Sequence, residues 1–481
     1  MQPDGKRRAW LRAGALLPLA SAALAPSLVR AGELPPLPPA PSLAPAVLAA
    51  DRAYWQAVAS QYDVETDVAM LDNGYWGSMA RPVLQAYEQH TQEANRGNAL
   101  YGRLEFPRQF EAARTRAAQA LGVERDEIVF TRGATEALLT LIGGYNRLRP
   151  GDVVLCADID YDNMIKAVHW LRERRGVEVV SIAMPDAAMA THQSLIDCYA
   201  QAMDRHPRLR MMLLTHVNHR NGMVLPVAEI SRMARARGID AIVDTAHGFG
   251  QLDMRIPDLQ ADFVGINLHK WIGAPVGVGA VYIRRGRVRD IDPYMGERDG
   301  DDIRTRVHTG TVNFGAYLAL PAALDLHEAI GVANKQARLQ RLRNRWVEAA
   351  RDIDGIEVLA AADPRLASAI SSFRLRGQTS VAQNVVLSQR LLREHRVFAV
   401  MRDGLAGGAC VRVTPAIFTS EAQVDRLVLG VVGRGQRDRG QDVKRELAVR
   451  RRVVDRLALA ASGQTGRGAY QSDDPRPGTC R

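Results

Sequence analysis

Lys270 is the residue in this sequence whose surroundings point most directly to covalent chemistry. It lies between two apolar segments, Asp262–Ile266 and Ala280–Ile283, which are typical of buried strands. An isolated buried ammonium is costly, so a lysine at this place is expected to be paired or functional. Burial also lowers the pKa of a lysine, and its amine then becomes a nucleophile that can form a Schiff base. The alternative is a surface loop whose lysine points into solvent.

Two further features lie where predicted strands end. Thr131–Ala137 contains a strand end, a glycine turn and a helix start, where free backbone N–H groups and the Thr135 hydroxyl could bind a phosphate. It lacks the lysine of a Walker loop, and any capped helix start looks similar. Asp244 closes the apolar segment Ala241–Asp244, where a carboxylate needs a cation or several hydrogen bonds. Helix capping is the alternative role for Asp244.

Three more side chains could contact a ligand. Tyr161 follows the predicted strand at 152–156, and its ring could cover a flat ligand, although a core tyrosine is the commoner arrangement. Arg412 lies on a late predicted strand, and Arg402 precedes it on the chain. A guanidinium directed into a cleft can hold a carboxylate with two parallel hydrogen bonds. A surface arginine is the alternative.

Alternating helices and strands must position these residues. Short apolar segments predict seven strands, at 127–131, 152–156, 177–181, 211–215, 241–244, 263–266 and 279–283. Helical patterns are found at 82–94, 106–121, 136–146, 163–174, 192–205 and 227–237. Uniformly apolar strands separated by helices indicate an α/β fold with a mostly parallel seven-stranded sheet covered on both faces. Ligands of such sheets bind outside the carboxyl ends of the strands.

The pattern changes after residue 320. A basic amphipathic helix at about 333–352 precedes predicted strands at 356–359, 371–375, 397–400 and 409–414, and a helix begins at about 420. We therefore expect a large domain with an N-terminal arm over 46–320 and a smaller α+β C-terminal domain over 321–433. Residues 434–481 are predicted to be a basic, partly disordered tail with one more helix at 441–459.

Composition excludes several classes of protein. The hydrophobic fraction of 47% and charged fraction of 24% are ordinary for a soluble globular protein. The net charge of +10 is concentrated at the ends, so a DNA-binding core is not supported. Four cysteines are too sparse for a disulfide framework: Cys156, Cys198, Cys410 and Cys480. Four histidines lack a compact metal-ligand spacing, so no metal is expected: His216, His219, His247 and His269.

The first 31 residues have the pattern of an export signal. Arg7 and Arg8 lie in a basic start, an apolar run follows at 13–24, and Ala31 closes a small-residue cleavage site. The run is too short and too interrupted for a stable membrane span. It resembles a twin-arginine signal, which directs folded proteins across the bacterial inner membrane; a basic, disordered start is the alternative. We expect cleavage near Ala31, a Pro-rich spacer at 32–45 and a periplasmic protein.

A phosphate site, a stacking aromatic, an aspartate and a lysine together match the needs of pyridoxal 5'-phosphate (PLP). The order of these residues resembles the class V aminotransferase family of fold-type I PLP enzymes, over roughly 64–432, and within it the isopenicillin N epimerase-like group. The shared segments are Gly133–Ala137, Asp244–His247, Leu268–Pro275, and Arg412 ahead of Phe418–Glu421. The resemblance implies an aspartate aminotransferase-like fold and a PLP-dependent enzyme.

The resemblance also implies a role for individual residues. Lys270 would be the catalytic Schiff-base lysine, and Asp244 would bind the pyridinium nitrogen. Arg412 would bind the substrate carboxylate, and Arg402 is a second candidate for that contact from the residue pattern alone. The other cofactor contacts would be phosphate contacts from Ala134, Thr135 and His269, ring stacking by Tyr161, and a place near the ring hydroxyl for His247.

Two further implications concern the partner subunit and one departure from the family. Thr311 would reach the phosphate of the partner subunit, which implies a homodimer with shared active sites. The family often has asparagine where this chain has His219. Asn218 is therefore the expected replacement for that contact to the ring hydroxyl or substrate.

The sequence predicts the cofactor better than the reaction. After Lys270 removes the Cα proton, epimerisation, transamination, elimination and decarboxylation all remain open. A desulfurase would need a cysteine in the loop at 402–408, which has none, since Cys410 falls within a predicted strand. The export signal is consistent with a siderophore or non-ribosomal peptide substrate, and transamination or epimerisation of a free amino acid is the alternative. A non-catalytic PLP-binding sensor would normally carry a basic DNA-binding domain in place of the leader.

Overall fold

A computed structural model describes residues 36–435 of the chain. The predicted export signal and the predicted helix at 441–459 lie outside these residues. The helices are α1 Pro45–Leu48, α2 Arg52–Ala59, α3 Arg81–Leu104, α4 Phe106–Leu121, α5 Ala134–Gly144, α6 Asp162–Arg175, α7 His192–Arg205, α8 Val227–Ala236, α9 Phe314–Leu318, α10 Leu320–Ile330, α11 Val332–Arg351, α12 Val381–His395 and α13 Glu421–Gly435. Within residues 36–435, no helix combines the length and apolarity that a membrane crossing requires.

The strands form one large sheet and two smaller ones. They are β1 Ala69–Met70, β2 Ile128–Thr131, β3 Val153–Ala157, β4 Glu178–Ile182, β5 Leu209–Thr215, β6 Asp240–Thr245, β7 Phe263–Asn267, β8 Gly279–Ile283, β9 Ile356–Leu359, β10 Ser371–Leu375, β11 Val397–Phe398, β12 Val400–Arg402 and β13 Cys410–Val413. The seven strands predicted at 127–283 all exist, with ends displaced by at most a few residues.

The large sheet has the strand order β2-β8-β7-β6-β5-β3-β4. Strands β3 to β7 pair in parallel, whereas β8 runs antiparallel to both β2 and β7. The predicted mostly parallel seven-stranded sheet is thus confirmed. Its two faces pack into different cores: Val153 and Leu155 of β3 lie in one, and Val154 and Cys156 lie in the other. Because side chains alternate along a strand, burial on both faces requires the continuous apolar runs of the sequence.

Several helix ends follow from local sequence. Gly122 ends α4 in the left-handed conformation, with φ of 74°, which glycine adopts without strain, and the predicted stop there is confirmed. Thr191 caps α7 and Ser380 caps α12, each through a reciprocal pair of hydrogen bonds with the third helical residue. These caps fix where the helices begin relative to the strands they cover.

The second sheet is antiparallel, in the order β12-β13-β10-β9, and supports the predicted α+β region. Strand β1 pairs with β11, and Asp72 just beyond β1 bridges to Thr414 beyond β13. An N-terminal segment is therefore joined to the late strands, next to Arg412. The predicted boundary near residue 320 stays a prediction, because the described chain from Leu37 onward forms one compact unit.

Two elements differ from the sequence prediction. The helix predicted at 82–94 continues as α3 to Leu104, although Asn98 within it has a non-helical φ of 46°. The strand predicted at 397–400 is divided, because β11 pairs with β1 whereas β12 pairs with β13. The chain changes partner sheet at Ala399, and local propensity does not report such a change.

Trp346 should be a main source of stability in the core beneath the second sheet. Its indole is 1% exposed and meets the Phe373 ring edge-on at 5.6 Å. Trp346→Ala is expected to lower the free energy of unfolding by about 3–5 kcal/mol, because it leaves a large cavity. Urea denaturation measures the change, with Trp170→Ala on the exposed face of α6 as the matched control. A loss in Trp346→Ala no larger than in the control would contradict this packing.

Candidate active site

A cavity of about 1130 Å³ lies where the parallel strands of the large sheet end. Its walls come from the segments that follow β2, β3, β5, β6 and β7, from β12 and β13, and from the loop after β1. It brings together most of the predicted site residues: Ala134, Thr135, Tyr161, Asp244, His247, His269, Lys270, Arg402 and Arg412. The position agrees with the rule that sheets of this type bind ligands at the carboxyl ends of their strands.

Lys270 follows β7, and the loop after β1 packs against the backbone at Lys270. The Gly77 N–H donates to the His269 carbonyl at 2.8 Å. A Cβ atom on Gly77 would lie 1.9 Å from the Lys270 carbonyl oxygen, so only glycine permits this approach. The backbone that carries Lys270 is thus fixed by a segment far away in sequence.

The amine of Lys270 is removed from bulk water. Desolvation lowers its pKa to about 8, partly offset by the carboxylate of Asp244 and reinforced by Arg412 and Arg402. Its Nζ atom lies 3.1 Å from Nε2 of His247. Burial therefore shifts Lys270 towards the free amine, the form that nucleophilic attack requires.

Asp244 lies near the end of β6 and is 6% exposed. Burial raises the pKa of its carboxyl group, while a hydrogen bond from the Ala246 N–H and the charge of Lys270 favour the ionised form. An ionised carboxylate in this wall would stabilise a protonated ring nitrogen placed beside it. The arrangement fits the role that the sequence predicts for Asp244.

The start of α5 fits a phosphate group. Ala134 and Thr135 lie in the cavity wall, and no side chain of the described chain caps this helix. Its first backbone N–H groups are therefore available to an anion, at the positive end of the helix dipole. A Cβ atom on Gly133 would lie 3.1 Å from the His269 ring, so glycine keeps this cradle open.

His269 can donate a hydrogen bond to the same anion only when its imidazole ring is protonated. Its Nδ1 donates to the Val278 carbonyl at 3.0 Å, because a carbonyl oxygen can only accept. In the neutral ring Nε2 is then an acceptor, and it becomes a donor only when the ring is protonated. Burial lowers the pKa of His269, so a bound dianion would have to raise it again.

The structure separates His219 from Asn218. His219 lines the cavity and meets the Tyr161 ring edge-on at 5.4 Å, and Nδ1 of His219 is buried without a hydrogen-bond partner among the described residues. Asn218 is fully buried and does not line the cavity. Its amide donates to the Ile159 carbonyl, and its oxygen accepts from two backbone N–H groups that follow it. Both polar atoms of the Asn218 side chain are thus bonded to backbone groups of the protein. The structure therefore does not support a cofactor contact from Asn218.

Thr311 and Tyr161 differ in their position relative to the cavity. Thr311 is exposed and is not part of the cavity wall, so its contact with a partner subunit stays a prediction. Tyr161 is half-buried in the wall, and its stacking role also stays a prediction.

Asp72 is a site residue that the sequence did not suggest. It accepts a very short hydrogen bond from Nη2 of Arg412 and lies 3.7 Å from Nη2 of Arg402. Arg412 also donates from Nη1 to the His219 carbonyl at 2.9 Å. The two arginines and one aspartate leave one net positive charge in this part of the wall. An acidic residue directly before the Asn-Gly turn was the only signal, and such residues are common in turns.

This chain is similar in sequence to proteins from other organisms. Isopenicillin N epimerase of Streptomyces clavuligerus is 25% identical over 391 residues, which cover 78% of this chain and 96% of that protein. A probable cysteine desulfurase of Methanothermobacter thermautotrophicus is 29% identical over 334 residues, which cover 65% of this chain and 81% of that protein.

Solved structures share the fold. A mutant of C-DES, with glycine covalently linked to its PLP cofactor, superposes with a TM-score of 0.67 at 20% identity, covering 77% of this chain and 98% of that chain. The aspartate aminotransferase-like fold of type I that the sequence predicts is confirmed. The aminotransferase class-V family model matches residues 78–427, which is most of the chain. The chain belongs to the aminotransferase class-V family.

Proposed function

We propose that this protein is a PLP-dependent enzyme that acts at Cα of an amino acid or of an amino-acid residue in a peptide. The observation that carries the proposal is the desolvated amine of Lys270, close to the buried carboxylate of Asp244, in a cavity that also contains an uncapped helix start. The related C-DES structure contains PLP, which supports the same cofactor for this chain.

Three groups of PLP would be held by residues of the cavity wall. The N–H groups at the start of α5 would hold its phosphate, Asp244 its ring nitrogen, and Lys270 its aldehyde carbon. Bound in this way, PLP supplies an electron-withdrawing ring that stabilises negative charge at the Cα atom of an attached amino acid. The protein has to keep the ring nitrogen protonated, orient the substrate and move the Cα proton.

Lys270 is the residue best placed to move that proton. Its pKa of about 8 lets its amine accept and return a proton near neutral pH. Asp244 is held at the strand end by its bond from Ala246, so its charge stays fixed while the proton moves. Arg412 and Arg402 lie in the same wall and would orient the substrate through one carboxylate.

Sulfur transfer by a cysteine of the described chain is disfavoured. Cys410 is fully buried within β13, and burial raises the pKa of its thiol. None of the three cysteines in residues 36–435 lines the cavity. The relatives include both an epimerase and probable desulfurases. The lack of a cavity-lining cysteine in residues 36–435 favours chemistry that needs no protein thiol: epimerisation, transamination, elimination or decarboxylation.

The cavity has room for a substrate larger than a free amino acid. Its volume of about 1130 Å³ would hold PLP and a substrate together, since a single small-molecule pocket usually measures about 300–1,000 Å³. One net positive charge from Arg402, Arg412 and Asp72 suits a single carboxylate. We therefore include peptides and siderophore precursors among the proposed substrates.

Solvent-deuterium exchange at Cα tests the reaction. PLP-loaded protein in D₂O, given a panel of amino acids and peptides, should exchange the Cα proton of its substrate. Lys270→Ala should slow this exchange by roughly 10²- to 10⁴-fold, because the general base is lost. Lys166→Ala on the exposed face of α6 is the control and should exchange normally. Mass spectrometry of the products separates epimers, keto acids and elimination products.

A wild-type protein without Cα exchange would contradict the proposed activity. Wild-type protein that binds PLP, folds normally and exchanges no Cα proton in the panel would favour the non-catalytic PLP-binding alternative.

The homodimer is part of the proposal. Thr311 is exposed on a loop outside the cavity wall, as a residue that serves a partner subunit would be. Large apolar side chains are also exposed beside the cavity mouth: Tyr75, Trp76 and Met295. Exposed apolar patches of this kind are typical of protein interfaces.

Export to the periplasm is also part of the proposal, and the sequence of the first 31 residues supports it. Arg7→Lys together with Arg8→Lys should prevent delivery, because the twin-arginine pathway requires both guanidinium groups. Arg12→Lys, outside the pair, is the matched control. Fractionation and immunoblotting measure the periplasmic share. Undiminished delivery of the double variant would contradict this route.

A further inference from the structure

Trp271, the residue after Lys270, contacts the site through its side chain. Its indole Nε1–H donates to Nδ1 of His247 at 3.3 Å. On the opposite side of the same ring, Nε2 of His247 lies 3.1 Å from Nζ of Lys270. The His247 ring thus lies in a chain of hydrogen bonds between an indole and the reactive amine.

The donor and acceptor types of the indole, the imidazole and the amine determine the direction of these hydrogen bonds. An indole N–H can only donate, so Nδ1 of His247 must accept and carries no proton. A neutral imidazole has one N–H, which must then be on Nε2. Nε2 therefore donates, and Lys270 accepts through the lone pair of a neutral amine.

We propose that Trp271 is a positioning residue that fixes the tautomer of His247, so that His247 donates to Lys270 and holds it as the free amine. His247 cannot then serve as a base, because the nitrogen that reaches Lys270 already carries the proton. Lys270 is consequently the base of this pair.

The backbones of both residues are anchored independently. Nζ of Lys335 donates to the Trp271 carbonyl at 3.0 Å, and Lys335 also bonds Nδ1 of His327 at 2.9 Å. The His247 carbonyl accepts a short hydrogen bond from Gln251, whose oxygen accepts from the Ala369 N–H at 3.0 Å. The hydrogen bond between the indole and the imidazole therefore joins two segments that are already held.

Neighbouring charges act in the same direction. Burial and the nearby guanidinium groups of Arg412 and Arg402 lower the pKa of His247, so its ring stays neutral. For Lys270, burial and both arginines favour the free amine, whereas Asp244 favours the ammonium. The hydrogen bond from Nε2 of His247 also favours the free amine of Lys270.

Nitrogen NMR tests the tautomer directly. Full-length, cofactor-free protein labelled with ¹⁵N-histidine is measured in the solid state at about pH 9, above the pKa of Lys270, and the His247 signals are identified by their loss in His247→Gln. Wild type should show an unprotonated Nδ1 and a protonated Nε2, and Trp271→Phe should lose this preference. A protonated Nδ1 in the wild type would overturn the proposal, whether or not Trp271→Phe folds.

The pH dependence of PLP uptake by cofactor-free protein is the second readout, and this readout alone rests on the proposed function. In the wild type the uptake rate should rise with pH and level off above about 8, where Lys270 is mostly free amine. Without the indole, the His247 ring can present Nε2 as an acceptor to the ammonium. The midpoint should then move up by about one pH unit, as expected for a hydrogen bond to a charged group.

Controls separate the possible failures. Trp170→Phe, on the exposed face of α6, should leave both readouts unchanged. A Trp271→Phe protein with the wild-type tautomer and midpoint would overturn the proposal. Failure of the wild type to take up PLP would contradict the proposed function, while the nitrogen spectra would still decide the role of Trp271.

Discussion

The removal of the Lys270 amine from water is the constraint on which the site depends. An ammonium in this position is destabilised by burial and by two arginines, and is stabilised chiefly by Asp244. The balance leaves a pKa of about 8, which suits an amine that must both attack a carbonyl and exchange protons. The large sheet produces this balance, because β6 carries Asp244 one residue before its end and the chain reaches Lys270 shortly after β7.

Segments outside the large sheet complete the site around Lys270. The loop after β1 fixes the backbone of Lys270 through Gly77 and brings Asp72 to Arg412. The same N-terminal segment pairs through β1 with β11 of the late region. Substrate recognition and the reactive amine are thus joined by one short stretch of chain. A change in that stretch is expected to affect both.

Much of this was predictable because it depends on local pattern. Apolar strands between helices predicted the sheet, and the strand-end rule predicted that Asp244, Lys270 and the start of α5 would share one cavity. Asp72 could not be predicted, since its partner Arg412 is distant in sequence and the pairing arises only in the folded chain. The surroundings of Asn218 could not be predicted for a related reason: its amide is used by backbone groups, and a sequence does not show which polar atoms are already satisfied.

The central claim is that Lys270 is the amine that attaches PLP. Lys335 is a demanding internal comparison, because burial lowers its pKa to about 7, yet it lies outside the large cavity. Purified protein incubated with PLP, reduced with borohydride and digested should carry the pyridoxyl group on the peptide containing Lys270. A pyridoxyl group on Lys335, or distributed among exposed lysines such as Lys166, or no modification of well-folded protein, would contradict the account.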